Sequence, residues 1–144
     1  MVGVEIDLVV KDSLKALDLY EKVFEVKRVE VSNLPRGENE AVFKLYEVQF
    51  HLLDENPDFY LIAPKPDHPK TSWVNVTVPD INETYSKAME MECTEIQPVT
   101  ELPDHGVSNA IFMDPFGYVW MLHQVHKEVS HEERLQLWEE QKKN

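Results

Sequence analysis

The sequence predicts an α+β fold of two βαβββ modules. They form a curved, mostly antiparallel sheet with a concave cleft, helices outside and a C-terminal tail helix. Three observations carry this. The segment Leu8-x-Val10-x-Asp12 recurs, with one apolar swap, as Val76-x-Val78-x-Asp80, placing the two acidic residues 68 positions apart. In each copy a period-2 apolar run ends at a carboxylate able to accept the free N–H groups that open a helix. Asp114-Pro115-Phe116-Gly117 is a tight turn running directly into the apolar strand Tyr118-Val119-Trp120-Met121-Leu122. One such module buries too little surface alone, so two should share a core. The expected division is a first module over residues 1–63, a connection over 64–71, a second module over 72–126 and the tail over 127–144, one domain overall.

Each element follows from its own pattern. Val4 to Val10 alternates apolar residues with Glu5 and Asp7, which predicts a strand with two carboxylates on one face. Asp12 or Ser13 caps the next helix, whose apolar side is Leu14, Leu17, Tyr20 and Phe24. A strand over Val26 to Val31 leads to a polar loop punctuated by Pro35 and Gly37. Ala41 to Leu45 and Val48 to Leu53 read as an antiparallel pair ended by Asn56-Pro57. Pro64, Pro66 and Pro69 exclude helix and central strand from the connection, because proline lacks a donor and fixes φ. Trp73 to Val78 is the next strand, and Asp80-x-x-Glu83 opens a helix with Ile81, Tyr85, Ala88 and Met89 on one side. Short strands follow near Ile96 to Val99, Asn109 to Met113 and Tyr118 to Val125, with a loop over Thr100 to Ser108 that covers a pocket. Ser130-x-x-Glu133 caps a tail helix to about Gln141, whose Leu135 and Trp138 dock on the body or on a partner.

Composition bounds the function. A net charge of −13 repels phosphate backbones and anionic lipid, so neither nucleic acid nor membrane is an expected partner. Cys93 is the one cysteine, which excludes an intrachain disulfide and fits a reducing compartment. No long apolar run and no basic-then-apolar leader is present, so the expected location is the cytoplasm. With four glycines and no phosphate loop, nucleophile elbow or paired-Cys motif, nucleotide cradling is not expected.

The doubled module, the apolar-x-Val-x-Asp helix starts and the Asp114-Pro115-Phe116-Gly117 turn leading to Trp120-Met121-Leu122 resemble the vicinal oxygen chelate superfamily of glyoxalase I, extradiol dioxygenases and fosfomycin- and bleomycin-resistance proteins. Asp54-Glu55-Asn56-Pro57, the Asp114 turn with Trp120, and Val129-Ser130-x-Glu132-Glu133 resemble its PhnB-like branch. The resemblance implies a homodimer, with modules paired across subunits and sometimes swapped. It also implies one metal ligand, usually His or Glu, on each of four strands. Those positions fall here on Glu5, His51, Trp73 and Met121. Indole offers no usable lone pair and a thioether suits soft metals, so no cofactor is expected. The alternative is a divalent ion held by relocated ligands, Glu5, His51 and His123, with Asp7 nearby.

The expected ligand cleft therefore comprises Glu5, Asp7, His51, Trp73, Met121 and His123, with Glu5 as the candidate catalytic base should apolar neighbours raise its pKa. Trp120, opposite in parity to Met121, is expected in the core. His105, in Pro103-Asp104-His105-Gly106, is either a lid residue donating a proton or an exposed turn histidine. Three functions remain: a small-molecule binding protein without the family's usual metal, a metal-dependent lyase- or dioxygenase-type enzyme with relocated ligands, or interaction without catalysis, the acidic body and tail helix serving as a partner surface.

Overall fold

In the computed structural model, residues 2–143 are described. The first half contains β1 (Glu5–Val10), α1 (Ser13–Val23), β2 (Val26–Val31), β3 (Glu40–Leu45) and β4 (Val48–Asp54). The second contains β5 (Val74–Thr77), α2 (Ile81–Glu90), β6 (Thr94–Leu102), β7 (Val107–Met113) and β8 (Val119–Val125), followed by α3 (His131–Lys142). Each half forms a four-stranded sheet, in the orders β1-β4-β3-β2 and β5-β8-β7-β6. In each sheet the first strand runs parallel to the last and the other pairs are antiparallel. The strands thus form two separate four-stranded sheets rather than one continuous sheet.

The helix starts obey the sequence. Asp12, Asp80 and Ser130 sit in extended backbone and accept the N–H groups of Lys15, Glu83 and Glu133, each at 3.1 Å. Buried residues of α1 recur at helical spacing, Ala16, Leu17, Tyr20 and Val23, with Phe24 buried at its C-cap, and turn that helix face into the core. The core is continuous between the halves. Trp120 of β8 is fully buried, with ring centroids 5.1 Å from Tyr20 and 5.1 Å from Phe24, and it meets Phe50 of β4 at 6.2 Å. Cys93 is a free buried thiol just beyond α2, and burial pushes its pKa up to about 12.

The turn at Asp114 is a junction. One oxygen of its buried carboxylate accepts Tyr20 OH at 2.5 Å and Trp120 Nε1–H at 2.9 Å. The other accepts the turn amides of Phe116 at 2.9 Å and Tyr118 at 3.0 Å. Tyr118 then donates its hydroxyl to the Val9 carbonyl at 2.9 Å, a second polar tie to β1. Gly117 adopts φ +92, and a Cβ there would stand 3.0 Å from the Pro64 carbonyl oxygen, so glycine is required by conformation and by space.

Asp54 plays the matching role in the first half. It is 3% exposed and accepts backbone N–H groups from Ser13 at 2.7 Å, Gly37 at 2.8 Å and Asn39 at 3.0 Å. Glu55 accepts the Ala63 N–H at 3.0 Å, and Asn56 caps a single 3-10 turn at Pro57–Phe59. The segment Asp54-Glu55-Asn56-Pro57 is therefore a loop organiser.

Two local expectations are corrected. The loop expected over Thr100 to Ser108 shrinks to one 3-10 turn at Pro103–His105, because Thr100, Glu101 and Leu102 pair with Asn109, Ser108 and Val107. Gly106 closes that turn at φ +68. Trp73 lies just ahead of β5 rather than inside it.

The two buried aspartates titrate in opposite senses. Burial raises the pKa of Asp114, with its four donors working against that rise. Burial also acts to raise Asp54, but its backbone donors outweigh it and hold the group below the ordinary 3.8. The stabilisation from Asp54 is thus complete above that ordinary value and lost as pH falls through the depressed folded one. Urea titrations of wild type and Asp54→Asn should converge in acid and separate towards neutrality. For Asp114 the relation reverses, stability being greatest below 3.8 and declining as pH rises through the raised folded value. Asp114→Asn puts an amide N–H against a buried donor, and should cost roughly 2–3 kcal/mol at neutral pH, read from the urea midpoint.

Candidate functional site

Strand alternation decides which residues face the cleft. Leu8 and Val10, Phe50 and Leu52, and Trp120 and Leu122 are buried on the helix side. Glu5 and Asp7 of β1 with Gln49 and His51 of β4 therefore lie on the opposite face of the first sheet, and Met121 and His123 of β8 on the opposite face of the second.

Parallel pairing of β1 with β4 sets Glu5 beside Gln49 and Asp7 beside His51. Glu5 Oε1 lies 3.1 Å from His51 Nδ1, and Gln49 donates its amide N–H to Glu5 Oε2 at 2.6 Å. An oxygen of Asp7 is 3.9 Å from His51 Nδ1. The other ring nitrogen, Nε2, faces Glu40 Oε2 at 3.3 Å. His51 is thus bracketed by carboxylates on both ring edges. As imidazolium it donates to both sides; as neutral imidazole it donates to one. The neighbouring carboxylates are driven apart. The Gln49 hydrogen bond, followed by Asp7 itself, lowers the pKa of Glu5, whereas burial and the Glu5 charge raise that of Asp7. Asp7 is the member that holds its proton longer. Glu5 is thus tuned towards the ionised form, opposite to the upward shift expected of a base in apolar surroundings.

The second sheet offers different chemistry. His123 Nδ1 contacts Asn109 Oδ1 at 2.6 Å, across the directly paired strands β7 and β8. Met121 lies between Asn75 and Ile111 on the neighbouring strands. Trp73 is 61% exposed and, with Ile6, Val48, Phe50 and Val74, lines a groove of about 460 Å³ at the β5 edge. His105 lies away from these residues, in the single turn before β7.

Of the six residues expected in the cleft, Glu5, Asp7 and His51 come together, offering one donor atom each within 4.8 Å of one another. His123 lies outside that group, as do Trp73 and Met121. Oxygen and imidazole donors suit a hard or borderline dication by type. The set is nevertheless one-sided, since all three donors stand on β1 and β4 of the first sheet, and both nitrogens of His51 already face carboxylates. The residues present do not complete the four-strand metal site.

Gln49, Glu40 and Asn109 were not singled out from the sequence. Gln49 was accessible, because it shares a face with His51 at i, i−2. Asn109 follows from the hairpin closed at Asp114, which fixes the β7–β8 register. Glu40 reaches His51 diagonally across β3 and β4, which only the strand pairing reveals.

Among the described residues no helix is long and apolar enough to cross a membrane. Comparison with solved structures finds the same architecture at low identity. The fosfomycin resistance protein FosX from Listeria monocytogenes, solved with Mn(II) and sulfate, superposes with a TM-score of 0.68 at 15% identity, over 96% of this chain and 98% of FosX. The PhnB protein from Bacillus cereus gives 0.65 at 16% identity, over 86% and 100% of the two chains. TioX from Micromonospora sp. ML1 gives 0.63 at 18% identity, over 88% and 100%. No curated protein sequence matches the chain. The profile of the Glyoxalase/Bleomycin resistance protein/Dioxygenase superfamily matches residues 4–122, which spans most of both sheets and both of their helices, and the chain belongs to that superfamily.

Proposed function

We propose that the protein binds a small organic ligand in the concave cleft, without the metal coordination usual in its superfamily. The observation carrying this reading is the environment of His51, whose two ring nitrogens face Glu5 at 3.1 Å and Glu40 at 3.3 Å. Donating from both nitrogens, as imidazolium, the ring has no lone pair to offer a metal. Three carboxylates around one imidazole favour a ligand bearing a cationic or strongly donating group. The same reading assigns Met121 as apolar surface and His123 with Asn109 as a polar contact on the second sheet, with Trp73 in its own groove at the β5 edge. Any turnover would draw on Glu5, ionised but a weaker base for its lowered pKa, beside Asp7, the stronger base of the pair.

A second reading is favoured by one specific observation, the grouping of Glu5, Asp7 and His51 within 4.8 Å, together with the Mn(II) found in FosX. It makes the protein a metal-dependent lyase- or dioxygenase-type enzyme, its Glu5, Asp7 and His51 holding the ion and polarising a substrate oxygen.

Thermal melts with Mn(II), Zn(II), Ni(II) and Fe(II) separate the two. Our reading expects no change in melting temperature from any of them; a saturable rise abolished by His51→Gln would transfer the assignment to the metal enzyme. Fluorescence titration with a panel of aromatic amines and their anionic isosteres should detect binding of the amines alone. Glu5→Gln should weaken it by about tenfold. Affinity should rise with pH as Asp7 ionises through its raised pKa, because deprotonation adds negative charge beside the cation. A flat profile, or preference for the anions, would count against a cationic ligand.

A further inference from the structure

The groove at the β5 edge is unlike the rest of the surface. At about 460 Å³ it has the size of a small-molecule pocket, roughly 300–1,000 Å³. Asp, Glu, Lys and Arg make up 28% of the chain, yet none of them lines it. Its walls come from three separate segments: Ile6 of β1, the β3–β4 hairpin, and the chain from Trp73 through β5. Tyr46, Val48 and Trp73 are 47%, 45% and 61% exposed, so three large apolar side chains that folding leaves in water meet at one place.

The hairpin tip adds a second observation. Leu45 pairs with Val48, leaving Tyr46 and Glu47 as a two-residue turn. Tyr46 adopts φ +53 at the first central position, where a left-handed backbone is ordinarily supplied by glycine. A bulky residue held there is strained, and its half-exposed ring recovers little of that by burial. What the tyrosine does supply is an aromatic wall to the groove. The site is also separate from the carboxylate face. Ile6 stands between Glu5 and Asp7, and Phe50 between Gln49 and His51, so strand alternation turns both to the other side of the first sheet. Phe50 stacks on Phe43 at 5.3 Å, which joins the groove to the packed aromatic core.

We propose that this groove is a second binding site, for a small uncharged aromatic molecule. The ligand's ring packs on Tyr46 and Trp73, and a carbonyl or hydroxyl group on it meets Asn75 or Thr77, the polar residues of the β5 wall. A charged ligand would shed its hydration there with no opposite charge to meet. A peptide strand fits poorly, because β5 is four residues long and offers little free edge on which to extend the sheet. The site does not depend on the carboxylate face around His51, so either can be lost without the other.

Titration of the full chain with the uncharged naphthalene fluorophore prodan tests this. A Trp138→Phe background leaves Trp73 as the only exposed tryptophan, since Trp120 is fully buried. Binding should be saturable, at one probe per chain, and should shield Trp73 from acrylamide quenching. Trp73→Ala, made in the natural chain, should weaken it by at least about tenfold. Tyr46→Gly should weaken it similarly while the melting temperature holds or rises, because glycine relieves the left-handed backbone. The anionic probe anilinonaphthalene sulfonate should bind at least about tenfold more weakly than prodan. The proposal is overturned by the absence of saturable binding, or by binding that survives both substitutions. A lowered melting temperature in Tyr46→Gly would show that the tyrosine serves the fold, and overturns it too. So does preference for the anionic probe, or self-association in sedimentation that displaces prodan, which would put a second copy in the groove.

Discussion

The buried carboxylate of Asp114 is the interaction on which the arrangement of the two halves depends. Burying a charge costs several kcal/mol unless it is fully hydrogen-bonded. Asp114 offsets part of that cost with four donors from three different parts of the chain, α1, β8 and its own turn, although burial still holds its pKa above the ordinary value. None of the four can leave without exposing a buried charge to an incomplete shell. The turn is thereby held shut, Trp120 is fixed at the centre of the aromatic core, and α1 is tied to the second sheet through Tyr20. The cleft geometry is downstream of this, because Met121 and His123 alternate with the residues that Asp114 and the core anchor.

Much of this was legible in the sequence. Side-chain oxygens at helix starts act within three residues, so Asp12, Asp80 and Ser130 could be read locally. Period-2 alternation told that Trp120 faces inward and that Glu5 and Asp7 share a face. The division of the surface into two ladders was not legible, since hydrogen bonding between edge strands leaves no local pattern. The roles of Asp54 and Asp114 were hidden for a related reason. Their motifs were recognisable, but a carboxylate that gathers donors from distant segments looks, in sequence, like one poised for chemistry. The short turn at Pro103–His105 was misjudged because proline and glycine mark a break in pairing without giving its length. Glu40 needed the β3–β4 register before its contact with His51 could be drawn.

The outward faces of the two sheets differ in kind. The first presents an imidazole among carboxylates, with the pKa of Glu5 lowered and that of Asp7 raised. The second presents a histidine paired to an amide, beside a thioether. A repeated fold thus carries two chemically different surfaces.

The approach of Pro64 to Gly117 has a consequence for how such a chain can change in length. A side chain at Gly117 would collide with the Pro64 carbonyl, so the first residue of the connection is seated against the closing turn of the second half. Insertions before Pro64 would lift that seat and disturb the turn, and with it the carboxylate inside. Insertions after it fall in exposed backbone that carries no sheet pairing. The spacer between the repeats therefore has one fixed end and one free end. Lengthening or rewiring it, including any rearrangement that joined a first half to a different second half, is least disruptive on the free side.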